Sequence, residues 1–447
     1  NVDISNLKNN FAYDGNDDDI DLLFAETSNV DEEGIIQDAG MFLGSLNVNN
    51  NDNTNINVHN TTTTTINDND TTVHVIQLGG GDDVISNEAE DLIKNGASVN
   101  IESGAGDSSF ISDDDYKQSG ANICSSPKEA MKDCDIIVKV NPPSKEEIDT
   151  FPEGKAFVSF IQTTKELEIV NRLAKRKMTC FSMHLIPRTT LAQSMDALSS
   201  QANIAGYKAV LNGASLLPVY MPLLMTAAGT IPPAKVLIIG AGVAGLQAIA
   251  TAKRLGAQVE AFDVRPEVKE QVESLGAKFV EVESDTNEGS GEGGYAKETS
   301  DEYKAKQQEK MTEHIIKSDL VITTALIPGR PAPKLISKSM VEKMKKGSVI
   351  VDLASENGGN CEATEKDAIT NYNGVTIDGS SNLPSEMQLH ASQLYAKNIS
   401  TFINYIIKDG KINLDLDDEI ISGAMFTHQG KINHKPTLEA INSSKDN

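Results

Sequence analysis

Residues 236–245 decide the fold, and they read Val236-Leu237-Ile238-Ile239-Gly240-Ala241-Gly242-Val243-Ala244-Gly245. Four branched aliphatic residues before a Gly-x-Gly-x-x-Gly motif predict a buried strand, a tight turn and the start of a helix. Gly240 permits the turn, Gly242 leaves room for a diphosphate, and Gly245 lets the helix pack closely on the strand. The predicted helix begins at Gly242, and its free N–H groups and positive dipole end attract phosphates. The motif predicts a dinucleotide site.

The end of the next strand selects between two dinucleotides. Asp263 follows Gly245 by 18 positions. A carboxylate there accepts both hydroxyls of the adenosine ribose and repels a 2′-phosphate. Arg265 argues the other way, because a nearby arginine can bind that phosphate. We give the carboxylate more weight and predict NAD(H), with Val264 and Arg265 beside Asp263 in the site.

Two further segments suit the same site. Residues 323–329 follow a predicted strand, and a loop at the carboxyl end of a strand is where such sheets hold ligands. We therefore expect Thr324, Ala325 and Leu326 to contact the cofactor. The glycine-rich run 289–295 ends in Tyr295. It is either a mobile loop that closes over the nucleotide or a surface linker.

Strand patterns alternate with helix patterns from residue 73 onward, which predicts parallel sheets covered on both faces. We expect an α/β protein with two Rossmann-like, doubly wound domains, a cleft between them, and a disordered acidic and Asn-rich N-terminal region. The strands predicted are 73–78, 97–101, 135–140, 156–161, 236–239, 259–262, 279–282, 320–323, 349–352 and 375–378, and the helices are 88–95, 127–133, 166–176, 242–255 and 391–407.

The predicted domain divisions follow from these patterns and from composition. Residues 47–60 contain eight asparagines, and five threonines follow them. Such a polar tract is typical of a disordered insertion. The divisions are a disordered acidic segment (1–40), a first α/β domain (41–210) with a disordered insertion (47–72), an NAD(H)-binding domain (211–380) and a C-terminal segment that returns to the first domain (381–447).

Charge and cysteine usage exclude several classes. The net charge of −26 repels nucleic acid phosphates, so we expect no nucleic acid partner. The cysteines show no metal-ligand spacing, which predicts reduced thiols and no metal. The apolar stretch 216–231 is too short to span a bilayer. We expect it to be a buried segment between domains, in a soluble chain that is a piece of something longer.

Beyond the glycine motif, long stretches resemble the NAD(H)-binding domain of proton-translocating NAD(P) transhydrogenase. The resemblance runs from about Val73 to His434. The alanine dehydrogenases share this fold and are the rival family. The stretches that carry the resemblance are residues 231–236, 240–257, 269–276, 293–298, 352–354 and 358–361.

Residues 187–201 resemble the family loop that contacts the nicotinamide. The resemblance implies that Arg188 and Gln193 hold the nicotinamide and its ribose, that Asp196 and Ser199 bond the carboxamide and neighbouring groups, and that Tyr207 braces Asp196. From the residues alone, a cation, an amide and a carboxylate within nine positions can orient a ring for hydride transfer. Spacing alone favours the simpler interpretation, a capped helix start.

The family reaction passes a hydride between NAD(H) on this domain and NADP(H) on a partner domain, coupled to proton movement across a membrane. The resemblance therefore implies an NADP(H)-binding domain and a membrane domain as partners, a homodimer, and a soluble domain of an inner-membrane or organellar protein. Two alternatives are a soluble alanine-type dehydrogenase and an NAD-sensing module without chemistry.

The dehydrogenase alternative lacks two groups that the reaction needs. Alanine dehydrogenases have a substrate-binding arginine near His74 and a catalytic histidine near Gln162, and neither residue type is present here. Lys139 does match their lysine. Oxidative deamination needs a general base and a clamp for the carboxylate. His184 is the histidine nearest the nicotinamide loop, and we interpret it as structural.

Overall fold

Two sheets organise the protein. The computed structural model describes residues 73–77, 86–281, 301–326, 330–408 and 410–445. The predicted disordered segments 1–40 and 47–72 and the glycine-rich run with Tyr295 lie outside the described residues. The predicted α/β class with Rossmann-like, mainly parallel sheets is confirmed.

The first sheet has eight strands, which are β1 Val73–Gln77, β2 Ala97–Glu102, β3 Asn122–Cys124, β4 Ile136–Lys139, β5 Ala156–Ser159, β6 Thr179–Ser182, β18 Met425–His428 and β19 Lys431–Ile432. Their order is β19-β18-β6-β5-β4-β1-β2-β3. The six strands from β1 to β6 run parallel, whereas β18 joins β6 antiparallel and β19 joins β18 antiparallel. Every residue of β4, β5 and β6 is buried, as expected for parallel strands covered on both faces.

Helices follow these strands, and several start at side-chain caps. Ser112 and Ser144 each form a capping box with the carboxylate three positions later, which satisfies N–H groups that a helix start leaves unpaired. The helices of this region are α1 Ser86–Lys94, α2 Asp113–Gln118, α3 Pro127–Ala130, α4 Lys145–Thr150 and α5 Leu167–Lys175.

The second sheet has seven strands, which are β9 Lys235–Ile239, β10 Gln258–Phe262, β11 Lys278–Phe279, β12 Leu320–Thr323, β13 Val349–Asp352, β14 Ile369–Tyr372 and β15 Val375–Asp378. Their order is β11-β10-β9-β12-β13-β15-β14. The first six are parallel and reproduce the 3-2-1-4-5-6 order of dinucleotide-binding sheets, while β14 adds an antiparallel edge. The strand order reverses at β9, so the glycine motif that follows β9 lies at the switch point.

One long helix, α6 Ala197–Leu216, contributes to the cores of both sheets. Ala197 packs in the core of the first sheet, and Ala209 and Val210 pack in the core of the second. A β-carbon on Gly206 would lie 2.0 Å from the carbonyl oxygen of Ala244. The predicted domain division at residues 210–211 therefore falls inside this helix. The helices around the second sheet are α7 Val243–Arg254, α8 Lys269–Ser274, α9 Asp301–Ile315 and α10 Lys338–Val341.

The last segment of the chain packs on the first sheet. Tyr395, Phe402 and Ile406 of the helix after β15 lie in the core of that sheet, and β18 forms its hydrogen bonds with β6. The elements of this segment, besides β18 and β19, are α11 Gln388–Ile406, β16 Ile407–Lys408, β17 Lys411–Ile412, α12 Glu419–Ala424 and α13 Lys435–Lys445.

The structure corrects in part the prediction that the apolar stretch 216–231 is a buried segment between domains. Its first part agrees with the prediction, because Leu217 and Met221 are buried in the core of the second sheet. Its second part forms a hairpin of β7 Leu224–Thr226 and β8 Gly229–Ile231, in which Met225 is 73% exposed. Burial of this part was wrongly predicted because hydrophobicity does not specify a partner, and the hairpin pairs only with itself in the described portion of the chain. A helix both long and apolar enough to span a membrane is absent from the described residues.

The four cysteines carry free thiols and are all buried, at Cys124, Cys134, Cys180 and Cys361. Burial raises the pKa of the Cys180 thiol to about 12 and that of Cys134 to about 11. These thiols are therefore protonated and poor nucleophiles at neutral pH.

We predict that Gly206→Ala destabilises the protein by about 1–3 kcal/mol, because the added methyl forces α6 away from α7 and overpacked sites cost that much. Urea unfolding measures the change. Ser215→Ala is the control, because Ser215 is exposed on the same helix. Equal stability of the two variants would contradict the close packing of these helices.

Candidate functional site

The phosphate loop has the geometry that its glycines predict. Gly240 has a φ of +103°, and a β-carbon there would lie 2.4 Å from Oγ1 of Thr324. A β-carbon on Gly245 would lie 1.8 Å from the carbonyl oxygen of Gly240. Gly242 is the N-cap of α7, and its β-carbon position has no neighbour within 4 Å. Two glycines are therefore required by close packing, and the third leaves open space at a helix N-terminus.

A cavity of ≈ 2130 Å³ lies over this loop. Residues that follow strands of the first sheet form its other wall, among them Gln162, Lys165 and His184. Gly245 does not line it, because this residue is buried inside α7. The predicted residues that do line the cavity are Gly240, Gly242, Val243, Asp263, Val264, Arg265, Thr324, Ala325, Leu326, Arg188 and Ser199.

Asp263 and Arg265, which carried opposite predictions, bind each other. The Arg265 side chain donates to the carboxylate through Nε (2.9 Å to Oδ1) and Nη2 (2.8 Å to Oδ2). The backbone N–H groups of Arg265 and Ala241 donate to the same two oxygens, at 2.9 and 2.7 Å. The carboxylate raises the pKa of Arg265. The arginine thus remains charged but is held by Asp263 rather than projected toward a 2′-phosphate.

The segment 187–200 lines a second, smaller cavity of ≈ 420 Å³, which Arg188, Gln193, Asp196 and Ser199 share. Asp196 caps α6: its Oδ1 accepts the backbone N–H of Ser199 (2.8 Å) and its Oδ2 accepts the Ser199 hydroxyl (2.6 Å). Arg188 and Ser199 line both cavities. The capped helix start and the cluster of polar groups are therefore the same feature.

Tyr207 lies elsewhere on the helix. It follows Asp196 by eleven residues, which places it about 16 Å further along α6 at 1.5 Å per residue. Among the described residues no hydrogen bond joins Tyr207 to Asp196, and Tyr207 lines neither cavity. Within one chain, the two residues are not brought together.

Two asparagines that the sequence did not single out hold the loops of the site. Asn360 is fully buried and bonds the backbone of Ala325. Asn398 of α11 donates to the carbonyl oxygen of Ser194 (2.8 Å). Their partners lie 35 and 204 positions away in the chain, so no local pattern reveals them.

The residues that bear on dehydrogenase chemistry are arranged unfavourably for it. Lys139 is buried and paired with Glu147, and it does not line the cavity. His184 stacks on Phe160 with ring centroids 4.2 Å apart. Burial, and secondly repulsion from Lys165, lowers the pKa of His184 to about 4. The imidazole is therefore neutral at pH 7 and a weak base.

Comparison with protein families decides the membership of the chain. Residues 84–205 match the model "Alanine dehydrogenase/PNT, N-terminal domain", and residues 209–435 match "Alanine dehydrogenase/PNT, C-terminal domain". The chain belongs to the alanine dehydrogenase/PNT family.

Within that family the chain is more similar to transhydrogenase subunits than to alanine dehydrogenases. It is 47% identical to the first portion of the NAD(P) transhydrogenase alpha subunit of Rhodospirillum rubrum, over 77% of this chain and 91% of the relative. It is 44% identical to the corresponding polypeptide of Rickettsia prowazekii, over 80% and 93%. Alanine dehydrogenase 2 of Staphylococcus aureus is 28% identical, over 78% and 90%.

Solved structures give the same result. The structure of the transhydrogenase from Sinorhizobium meliloti matches with a TM-score of 0.72 at 42% identity, covering 80% of this chain and 99% of the other. An L-alanine dehydrogenase matches with a TM-score of 0.70 at 24% identity, which shows the shared fold. The predicted resemblance to the transhydrogenase alpha subunit is confirmed, and alanine dehydrogenase is the more distant relative.

We predict that His184 makes the stability pH-dependent. The unfolded ring has a pKa near 6.5 and the folded one about 4, so the unfolded state binds the proton first and stability falls as the pH drops from about 6.5 to 4. Between pH 7 and pH 5 the free energy of unfolding should therefore fall by about 2 kcal/mol on account of His184. His184→Phe keeps the stacking on Phe160 and should abolish this part of the decrease. Urea unfolding at both pH values measures this, with exposed His390→Gln as the control. An unchanged pH dependence in His184→Phe would be the contrary result.

Proposed function

We propose that this chain binds NAD(H) in the large cavity and exchanges a hydride with NADP(H) held by a partner domain. The observation that carries the proposal is one continuous cavity, whose lining includes the phosphate loop and Asp263 together with Arg188 and Ser199. One cavity thus brings together the groups expected to bind the diphosphate, the adenosine ribose and the nicotinamide end of the cofactor.

Each region of the chain would hold one portion of the cofactor. The open N-terminus of α7, at Gly242 and Val243, would bind the diphosphate. Asp263 would accept the adenosine ribose hydroxyls next to Val264, in exchange for bonds that the Arg265 side chain donates to it here. Leu326 would cover the nucleotide, and a contact from Tyr295 stays a prediction from the sequence. The predicted nicotinamide contacts are Arg188, Gln193, Asp196 and Ser199. Tyr207 would not brace Asp196 of its own chain, because the two residues are not brought together within one chain.

The nicotinamide, when bound, supplies the hydride chemistry. The residues of this chain would orient the ring and keep water away, because hydride transfer depends on alignment more than on proton transfer. Helix α6 is suited to orienting the ring, because its first turn carries Asp196 and Ser199 and its middle is locked against α7 at Gly206. The two ends of the cofactor would thus be held by packed helices.

Three observations favour the transhydrogenase over a soluble alanine-type dehydrogenase. Gln162 lines the cavity where those enzymes carry a histidine, Lys139 is paired with Glu147, and His184 is a weak base. The NAD-sensing alternative differs only in the absence of hydride exchange, so an activity measurement separates it.

The relatives are named as alpha subunits or portions of them. These names support the inference that the chain works together with further domains or subunits. We infer an NADP(H)-binding domain and a membrane domain that couples the reaction to proton movement. The chain would then act at an inner or organellar membrane.

We also infer two domains, each built around one sheet. The first would comprise residues 73–210 with 381–445, and the second residues 211–380. Separate hydrophobic cores support this division, and α6 would be the element that both share.

The function is tested by mixing the chain with a purified NADP(H)-binding transhydrogenase domain, NADH, an acetylated NAD analogue and NADP(H). We expect reduction of the analogue that depends on both proteins. NADH binding without exchange would favour the sensing module, and alanine-dependent formation of NADH would favour the dehydrogenase.

We predict that Asp263→Asn shifts cofactor preference. The variant removes the repulsive charge and releases Arg265, so the ratio of NADPH to NADH affinity rises by about tenfold, the value of one good charged hydrogen bond. Cofactor fluorescence titrations measure both affinities. Asp319→Asn makes the same charge change outside the cavity and serves as the control. A ratio equal to that of the unmodified chain would contradict this role of the Asp263–Arg265 pair.

We predict a homodimer that uses the exposed hairpin β7–β8. Met225 and Ile231 of the hairpin are 73% and 42% exposed, and Leu223 just before it is 53% exposed, so a second copy would remove these apolar side chains from water. Light scattering should give twice the 48.0 kDa of one chain, and Met225→Asp should reduce the mass. A concentrated sample with the mass of one chain would rule the dimer out.

A further inference from the structure

A buried carboxylate shapes the turn that follows β13. Asp352, at the end of that strand, accepts four hydrogen bonds, from the hydroxyls of Thr323 (2.9 Å) and Thr364 (2.7 Å) and from the N–H groups of Ala354 (3.1 Å) and Cys361 (3.0 Å). Gly359 has a φ of +77°, and a β-carbon on it would lie 2.8 Å from Oδ2 of Asp352. The turn is therefore wrapped around the carboxylate, which fixes the residue after Gly359.

That residue, Asn360, is fully buried and uses its whole side-chain amide. Its Nδ2 donates to the carbonyl oxygens of Ala325 and Pro333, both at 2.9 Å, and its Oδ1 accepts the N–H of Ala325 at 3.1 Å. Its backbone carbonyl also accepts the N–H groups of Leu335 and Ile336. One side chain thus joins the two ends of the segment 325–333.

This segment connects directly to the phosphate loop. Thr324 precedes Ala325, and its hydroxyl donates to the carbonyl oxygen of Gly240 at 3.1 Å. The space that a β-carbon on Gly240 would need is filled by the same hydroxyl. Asn360, Ala325, Thr324 and Gly240 therefore form a continuous chain of contacts from the turn after β13 to the phosphate loop.

We propose that Asn360 is a positioning residue of the dinucleotide site: it holds Ala325 and Pro333 in place, and through Thr324 the phosphate loop, in the arrangement that binds the cofactor. This rests on the proposed NAD(H) binding. The N–H of Ala325 is occupied by Asn360 and its carbonyl oxygen accepts a bond from the same side chain, which leaves the methyl group of Ala325 and the side chain of Leu326 as the apolar wall that the site would offer.

An aspartate cannot replace this asparagine, although the two have the same shape. The carboxylate would still accept the N–H of Ala325, but it would lose both donated bonds and would face the carbonyl oxygens of Ala325 and Pro333. Asn360→Asp therefore tests the donors without creating a cavity, and Asn360→Ala tests the whole side chain.

The test measures NADH affinity by fluorescence titration, thermal stability, and hydrogen exchange of segments 324–336 and 349–352. We expect both variants to bind NADH about tenfold more weakly, because the loosened loop must be ordered on binding at a cost comparable to about one hydrogen bond, with faster exchange confined to 324–336. Ser348→Ala is the matched control: Ser348 is buried, donates to the carbonyl of Ser318 and precedes β13 at the end of the strand away from the site, so it should lower stability without changing affinity.

The outcomes separate the proposal from the function on which it rests. A wild-type chain that does not bind NADH would overturn the proposed function. Wild-type binding together with folded Asn360 variants of equal affinity would overturn the positioning role. Affinity that falls in proportion to stability in the Ser348 and Asn360 variants alike would do the same. If Asn360→Ala does not fold, Asn360→Asp, which keeps the side-chain volume, decides.

Discussion

The proposed dinucleotide site depends on one close approach between two turns of backbone. The carbonyl of Gly240 occupies the space that a side chain at position 245 would need, 1.8 Å from the ideal β-carbon. Only this approach lets α7 begin directly over the end of β9. The N–H of Ala241 is then available to Asp263, and the carbonyl of Gly240 to Thr324. The loops after β10 and β12 are thus both attached to a backbone shape that glycine alone permits.

In the proposed site, the pairing of Asp263 with Arg265 would select a cofactor through its geometry as well as through its charges. A carboxylate in a partly buried site is costly unless it is well bonded, and four donors satisfy this one. Arg265 supplies three of these four donors. Its side chain is therefore held on Asp263 and is not free to bind a 2′-phosphate. Considered separately, Asp263 and Arg265 predict different cofactors. Considered as an ion pair, they both favour NAD(H) over NADP(H).

The features that sequence predicts well are those with local patterns. Strands such as β9 and β13 are continuous apolar runs, and the phosphate loop is encoded within six residues. Strand β6 was missed because its threonine and serine are polar yet buried, where Thr179 meets His428 and Ser182 bonds the carbonyl of Ile161. The short β3 and the edge strand β14 lack a continuous apolar run, and the strand predicted at 279–282 is only two residues long, Lys278–Phe279. In the site, the cap at Asp196 is local, whereas the roles of Asn360 and Asn398 arise from contacts between distant segments.

The position of β18 in the first sheet has a consequence for how the molecule is made. Its partner β6 ends at Ser182, whereas β18 starts at Met425, and every strand of the second sheet lies between them in the chain. During synthesis the second sheet is complete before the first can receive its last two strands. Until β18 has been synthesised, β6 is therefore an edge strand of the first sheet with one side unpaired. Long-range strand pairing of this kind is slow and prone to misassembly. A nascent chain would gain most from early folding of the contiguous nucleotide-binding half, against which α6 can already dock.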